Sequence, residues 1–321
     1  MWISPYKYYK YILSLGHLCS DINQSILSAV LPFLIATYHY DYTTAAMLVT
    51  VSNVFGAFVQ PFIGMLSGKK NKLLYMTLGV LLASGGMAVT GFISNFFGLC
   101  IAVIMSGIGV AMFHPQAAKL INSVSSKNAK GKGMSIFSFG GKVGFTLGPV
   151  YTAFLMNLFG MKGTILFLIP GIVFGIVCSF FNKYFENLDV LEVEKKEEAK
   201  SEQNDDWSGF IKLCGVVFSR SILSNGISTF LAFYFIQQFS KSNSFASMLL
   251  SVFYGIGSIT LLGGGIADCF GHRKMVCLSF CIFLPAIFIF TNTSHFVIAL
   301  IMLIFMICGE SLSYSPMVVL G

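Results

Sequence analysis

The chain has 321 residues, of which 55% are hydrophobic and only 10% charged, and its mean hydropathy is +0.79. Soluble domains carry about 25% charged residues, and a single core of this size could not hide so much apolar surface from water. The composition therefore excludes an ordinary soluble enzyme and makes the lipid bilayer the main solvent. The formal net charge of +7 does not point to nucleic acid. The basic residues sit in short loops between apolar runs, where the positive-inside rule accounts for them.

A membrane-crossing helix needs about 20 mostly apolar residues. Ten windows qualify: 11–37, 43–67, 73–93, 95–121, 133–158, 163–184, 209–239, 244–267, 274–292 and 295–319. Helices are the open choice, because lipid offers no partner for an unpaired backbone group. The first window follows an aromatic, basic start, contains Asp21 and lacks a small-residue cleavage site. It is expected to stay as the first helix rather than leave as a signal peptide. Sixteen of the twenty Lys and Arg residues fall in one set of loops, while the opposite loops hold only Lys162 and Lys241. That asymmetry predicts a cytoplasmic N-terminus in a multi-pass protein of the cell inner membrane.

Between the sixth and seventh windows, Glu186 to Asp206 carries nine of the thirteen acidic residues and three lysines. It is expected to be a solvated linker. The predicted organisation is an N-terminal six-helix half at 1–185, a cytoplasmic linker at 186–208, and a C-terminal half of four helices at 209–321. The eight cysteines suggest buried free thiols. Cys277 and Cys281 share a helix face, but two thiols alone make a poor metal site, so neither a metal nor a cofactor is expected.

An internal repeat supports two related halves. Gly64 opens a short Gly- and Lys-rich segment after the second helix, and Gly264-Gly265-Ile266-Ala267-Asp268-Cys269-Phe270-Gly271-His272-Arg273-Lys274 follows the eighth, 200 residues later. Repeats of this kind mark transporters whose halves rock around a central site. The second copy resembles the G-x-x-x-D-x-x-G-[RK]-[RK] signature of the major facilitator superfamily. The resemblance implies a gating role for Gly64, Gly264, Asp268, Gly271, Arg273 and Lys274. The first copy has Gly68 where the family usually has the aspartate, which implies a weaker gate there.

Other runs are similar to the fosmidomycin resistance family within that superfamily. They are His17 to Ser25 in the first helix, Gln60-Pro61-Phe62-Ile63-Gly64, Phe113-His114-Pro115, and Ser135-Ile136-Phe137 with Gly140, Gly141, Gly144, Gly148 and Pro149. Phe218-Ser219-Arg220 falls where that family also tends to have a base. The resemblance implies an all-helical major facilitator fold, export of a small molecule, and two further helices beyond Gly321. A chain lacking them is expected either to keep the transport function or to be an inactive truncated product.

Charged groups well inside the windows, away from their ends, are few: Asp21 and Glu310, Lys142 and Arg220. A charge at mid-membrane costs about 2.5–3.5 kcal/mol on insertion scales, so such residues face the protein interior. His17, Asp21 and Gln24 follow i, i+4, i+7 spacing and form one polar stripe. Together with Lys142, Arg220, His114 and Glu310 they are the candidate substrate and proton sites. The structural alternatives are an Asp21–Lys142 ion pair and a kink role for His114 before Pro115. The glycines Gly140, Gly141, Gly144 and Gly148, with Pro149, are expected to serve close helix packing. The expected activity is proton-coupled efflux of a small, drug-like or anionic molecule by a monomer. A remote alternative is an intramembrane hydrolase using Ser135, His114 and Asp21, although no nucleophile motif supports it.

Overall fold

The computed structural model describes residues 6–66, 72–124, 130–181, 207–258 and 271–320. Among them there is no strand. The α-helices, in chain order, are α1 (Tyr6–Tyr38), α2 (Tyr42–Leu66), α3 (Lys72–Val89), α4 (Phe96–Val124), α5 (Lys130–Phe159), α6 (169–181), α7 (Trp207–Phe239), α8 (Asn243–Gly257), α9 (His272–Asn292) and α10 (Phe296–Leu320). Short 3₁₀ helices fill Thr90–Phe92 and Gly160–Leu168. Each predicted window overlaps one of these helices. The chain separates into two compact units, Met1–Ser201 and Glu202–Gly321. The linker at 186–206 lies outside the described residues, as do Gly264 and Asp268.

Seven described stretches are long and apolar enough to cross a membrane, fewer than the ten windows. Two causes account for the difference. Residues 133–181 form one apolar stretch that holds two windows. The chain turns back within it at Gly160, whose φ is +58°, and the Tyr151 hydroxyl donates to the Leu166 carbonyl at 2.6 Å across the turn. In the second unit, the described part of α8 has 15 residues and the apolar part of α10 is confined to Phe296–Leu312.

In the first unit α1 is the central element, lying along α5 and touching α3 and α4. The α1–α5 contact is made by absent side chains. A Cβ on Gly140 would lie 2.1 Å from the Ser14 carbonyl oxygen, and one on Gly144 would lie 2.4 Å from that of Leu18. On Gly148 it would lie 1.9 Å from Ser25 Oγ. Small residues at four-residue spacing let two backbones touch, and in lipid that contact is a main source of helix association. Gly140→Ala must therefore push α1 away, and overpacking of this kind costs about 1–3 kcal/mol. We expect its melting midpoint in detergent to fall clearly below that of Gly85→Ala, because a Cβ at Gly85 meets nothing within 4 Å.

Above this seam a cluster of buried side chains fills the space between α1, α3, α4, α5 and α6. It includes Leu13, Met76, Phe113, Phe137 and Phe174. Gly16 leaves room for two of the rings, since its Cβ would come within 2.7 Å of both Phe174 and Phe113. At the start of α2, the Thr44 N–H donates to Asp41 at 2.7 Å and caps the helix. Hydrogen bonds from Thr44 hold the Asp41 carboxyl below its usual range.

In the second unit, Tyr234 donates to the Phe290 carbonyl at 2.6 Å, and Lys241 sits 4.1 Å over the Phe296 ring. The thiols depart from expectation. Cys19 and Cys178 are buried, but Cys214, Cys277 and Cys281 are exposed on the unit surface. A weakly polar thiol facing lipid has little to gain from protein burial, so spacing within an apolar run does not decide it.

Candidate functional site

Asp21 is 3% exposed, a carboxyl group deep in the first unit. Two imidazoles face it. His17, one turn earlier on α1, brings Nε2 to 3.2 Å from Asp21 Oδ2. His114, on α4, brings Nε2 to 3.3 Å from Oδ1. The i, i+4 spacing of a helix supplies the first contact; only the packing of α1 on α4 supplies the second.

The His17 ring is held at one edge and on one face. Its Nδ1 lies 2.8 Å from the Phe137 carbonyl oxygen, and its ring stacks on that of Phe137 at 4.1 Å. A Cβ on Gly141 would lie 2.5 Å from Asp21 Oδ2 and 2.6 Å from the His17 ring. Gly141 is thus the floor of this cluster as well as part of the helix seam. Lys142, the next residue on α5, is half-buried and interacts electrostatically with His17.

His114 joins the cluster to a cavity. Helices α2 and α4 touch where a Cβ on Gly107 would meet the Ser52 carbonyl oxygen at 2.4 Å. Near Pro61 and Pro115 they border a largely open cavity of about 440 Å³ lined by Ala57, Gln60, Pro61, His114, Pro115 and Ala118. The His114 side chain is 27% exposed, while its Nδ1 is buried without a hydrogen-bond partner. One level further along α1, Asn23 donates to Ser84 Oγ on α3 at 2.9 Å.

By residue type, His17, Asp21 and His114 could also take up a cation, since their ligand atoms lie within 4.8 Å of one another. Each carboxylate oxygen instead faces its own imidazole. Oδ2 pairs with His17, while Oδ1 faces His114 but makes no hydrogen bond.

The other sequence candidates are distributed differently. Gln24 is exposed and stays outside the cluster, although it shares the helical stripe. Burial along α1 depends on which neighbour covers each turn, and spacing alone does not reveal that. Arg220 and Glu310 form an ion pair within the second unit, with side chains only 16% and 11% exposed. Of the gating candidates, Gly64 lies in α2, Gly271 precedes α9 with φ +91°, and Arg273 and Lys274 are exposed in the first turn of α9. Sequence reasoning had placed Phe137 only within a family motif. Its role as carbonyl partner of His17 carries no sequence signal, because a backbone acceptor has none.

Membrane-length helices in two units, with ionisable side chains buried within them, are the features of a multi-pass membrane protein. A model of the Major Facilitator Superfamily matches residues 13–321, and the chain belongs to that family. It is 22% identical over 268 residues to the fosmidomycin resistance protein of Escherichia coli (strain K12), a match covering 82% of this chain and 66% of that protein. It is 24% identical over 272 residues to the MFS-type transporter YfnC of Bacillus subtilis (strain 168), covering 83% and 66%. The chain thus spans just under two thirds of the length of these relatives. A bacterial homolog of the human lysosomal transporter Spinster, in an inward-facing and unoccupied conformation, superposes with a TM-score of 0.78 at 17% identity. That superposition covers 99% of this chain and 76% of the other. Membership in this family of transporters sets aside the hydrolase alternative.

Proposed function

We propose that the protein is a proton-coupled exporter of small, anionic drug-like molecules, acting as a monomer in the cell inner membrane. The observation that carries this reading is the buried Asp21 carboxyl, flanked by two imidazoles, one of which lines a cavity. A carboxyl group suits proton carriage in a dry helix bundle, because its neutral form is cheap to bury and its charged form is not. Lys142 beside the cluster and Arg220 in the second unit are the bases that would favour an anionic cargo. The similarity to a fosmidomycin resistance protein points the same way, since fosmidomycin is a phosphonate. Gradient-driven uptake of labelled fosmidomycin into inverted vesicles tests the reading. Uptake abolished by a protonophore supports it, and uptake indifferent to the pH gradient refutes the coupling.

The same reading places the N-terminus and the linker at 186–208 in the cytoplasm, with six helices before the linker and the second half after it. In a cysteine-free background, Lys119→Cys should react with an impermeant thiol reagent only from the cytoplasmic side, and Lys162→Cys only from outside. Both side chains are exposed. Labelling of the two positions from one side would break this topology.

A further inference from the structure

The hydrogen-bonding groups around His17 count protons. Nδ1 faces the Phe137 carbonyl oxygen at 2.8 Å. A carbonyl can only accept, so Nδ1 carries a hydrogen. With that nitrogen committed, the 3.2 Å contact from Nε2 to Asp21 has two consistent forms. Either an imidazolium donates to a carboxylate, or a neutral carboxylic acid donates to a neutral ring. Both forms have no net charge, and both hold one proton more than a carboxylate beside a neutral imidazole.

Removing that proton leaves two acceptors face to face. If Nδ1 keeps its hydrogen, the bare Nε2 meets the carboxylate. If the hydrogen moves to Nε2, the bare Nδ1 meets the Phe137 carbonyl. Buried acceptors facing one another are costly, and the ring has no room to turn over. It is stacked on Phe137 and closed in by Gly141, where even a Cβ would clash.

Of the two deprotonated forms, the one that keeps Nε2–H on the carboxylate retains the stronger, charge-assisted bond, so the contact that yields is the one between Nδ1 and Phe137. We propose that His17 and Asp21 hold a single shared proton, and that its release opens the His17–Phe137 contact, so that proton loss loosens the packing of α1 on α5. The inference deepens the proton-coupled reading above and rests on it for its role in transport. The titratable and charged groups facing the pair are His114 from α4 and Lys142 from α5. From α3 the nearby polar group is the neutral Ser84, bonded to Asn23. His114 sits between the pair and the cavity and is the route by which the proton exchanges. Once the proton has left, the pair carries a negative charge that Lys142 is placed to offset. The proton then cannot leave without a change at a helix contact, which is the link a coupled transporter requires.

The test uses the chain in lipid nanodiscs, labelled with ¹⁵N-histidine and with ¹³C at the Phe137 carbonyl. The coupling across the Nδ1–H···O=C bond assigns His17 without a variant, and loss of the signal in His17→Gln confirms the assignment. The coupling should be present at low pH, with hydrogen on both ring nitrogens or on Nδ1 alone, and should disappear as the shared proton is lost. Spin labels at Tyr11→Cys and Phe139→Cys, both exposed positions on α1 and α5, report the helix spacing. Their separation should grow as the shared proton is lost at high pH, and should become independent of pH in Asp21→Asn. A bare Nδ1 on His17 at low pH, a coupling to Phe137 that persists after the proton is lost, or deprotonation with unchanged label spacing, would overturn the inference. So would a zinc ion retained by the purified chain and lost in Asp21→Asn. If the shared proton is seen but transport ignores the pH gradient, the exporter reading fails and the shared proton stands.

Discussion

Asp21→Asn is expected to reduce gradient-driven uptake in inverted vesicles to the level of vesicles lacking the protein. Exchange of labelled for unlabelled substrate, with no net proton movement, should survive. The amide keeps the shape of the carboxyl group and much of its hydrogen bonding, but cannot carry a proton. Among the described residues, Asp21 is the only acid within the helices of the first unit, so those helices offer no substitute. A purely structural role predicts otherwise. If Asp21 merely balances the charge of Lys142, the double change Asp21→Asn with Lys142→Met should restore gradient-driven uptake. Recovery in the double variant, measured in the same vesicle preparation, would end the proton-carrier role. The position of the carboxyl between two imidazoles makes recovery the less expected result, because removing Lys142 does not restore the carboxylate that both rings lose.

The largest stability effect is expected at Arg220. Its ion pair with Glu310 is mostly shielded, and deleting one member of a buried pair leaves the other charge uncompensated. Such deletions cost about 3–5 kcal/mol, whereas replacing both members by apolar residues is often neutral. Arg220→Ala should therefore unfold the second unit at markedly lower denaturant, and Arg220→Met with Glu310→Leu should regain most of the loss. In a drug-protection assay, Arg220→Ala should abolish protection against a phosphonate, and Arg220→Lys should keep part of it. The double apolar variant separates the two roles. If it is stable yet gives no protection, the guanidinium acts on the cargo; if protection returns with stability, Arg220 is only structural. A melt of Arg220→Ala indistinguishable from the parent would show that the pair contributes nothing to folding.

The helices were legible because lipid imposes one rule at every crossing: about 20 apolar residues, with the backbone satisfied internally. Where that rule weakened, the reading weakened too. The break between the windows 133–158 and 163–184, beside Lys162, was legible; that Gly160 is the residue taking positive φ there was not, since such a glycine looks like any other in an apolar run. At the site, His17 and Asp21 could be read as neighbours from their spacing on one helix. The approach of His114 could not, because 93 residues separate it from Asp21 in the chain and only the crossing of α1 and α4 closes the gap. The Arg220–Glu310 pair, 90 residues apart, was hidden for the same reason. Gly141 could be read as a packing residue but not as the wall behind two functional side chains, because what a glycine makes room for belongs to its neighbours.

The connections at one end of the first unit are tied in a different chemical currency from its charged loops. Tyr38 and Tyr40 donate through their hydroxyls to the carbonyls of Gly91 and Ser94. Thr164 donates to the Ala88 carbonyl and accepts from the Gly91 N–H. Gly91 permits this closeness, for a Cβ there would lie 2.0 Å from the Met161 carbonyl oxygen. Every member of this clasp is neutral. Its strength therefore does not depend on ionic strength, which weakens only contacts between charges. This end of the first unit should hold its shape equally in dilute and in saline surroundings.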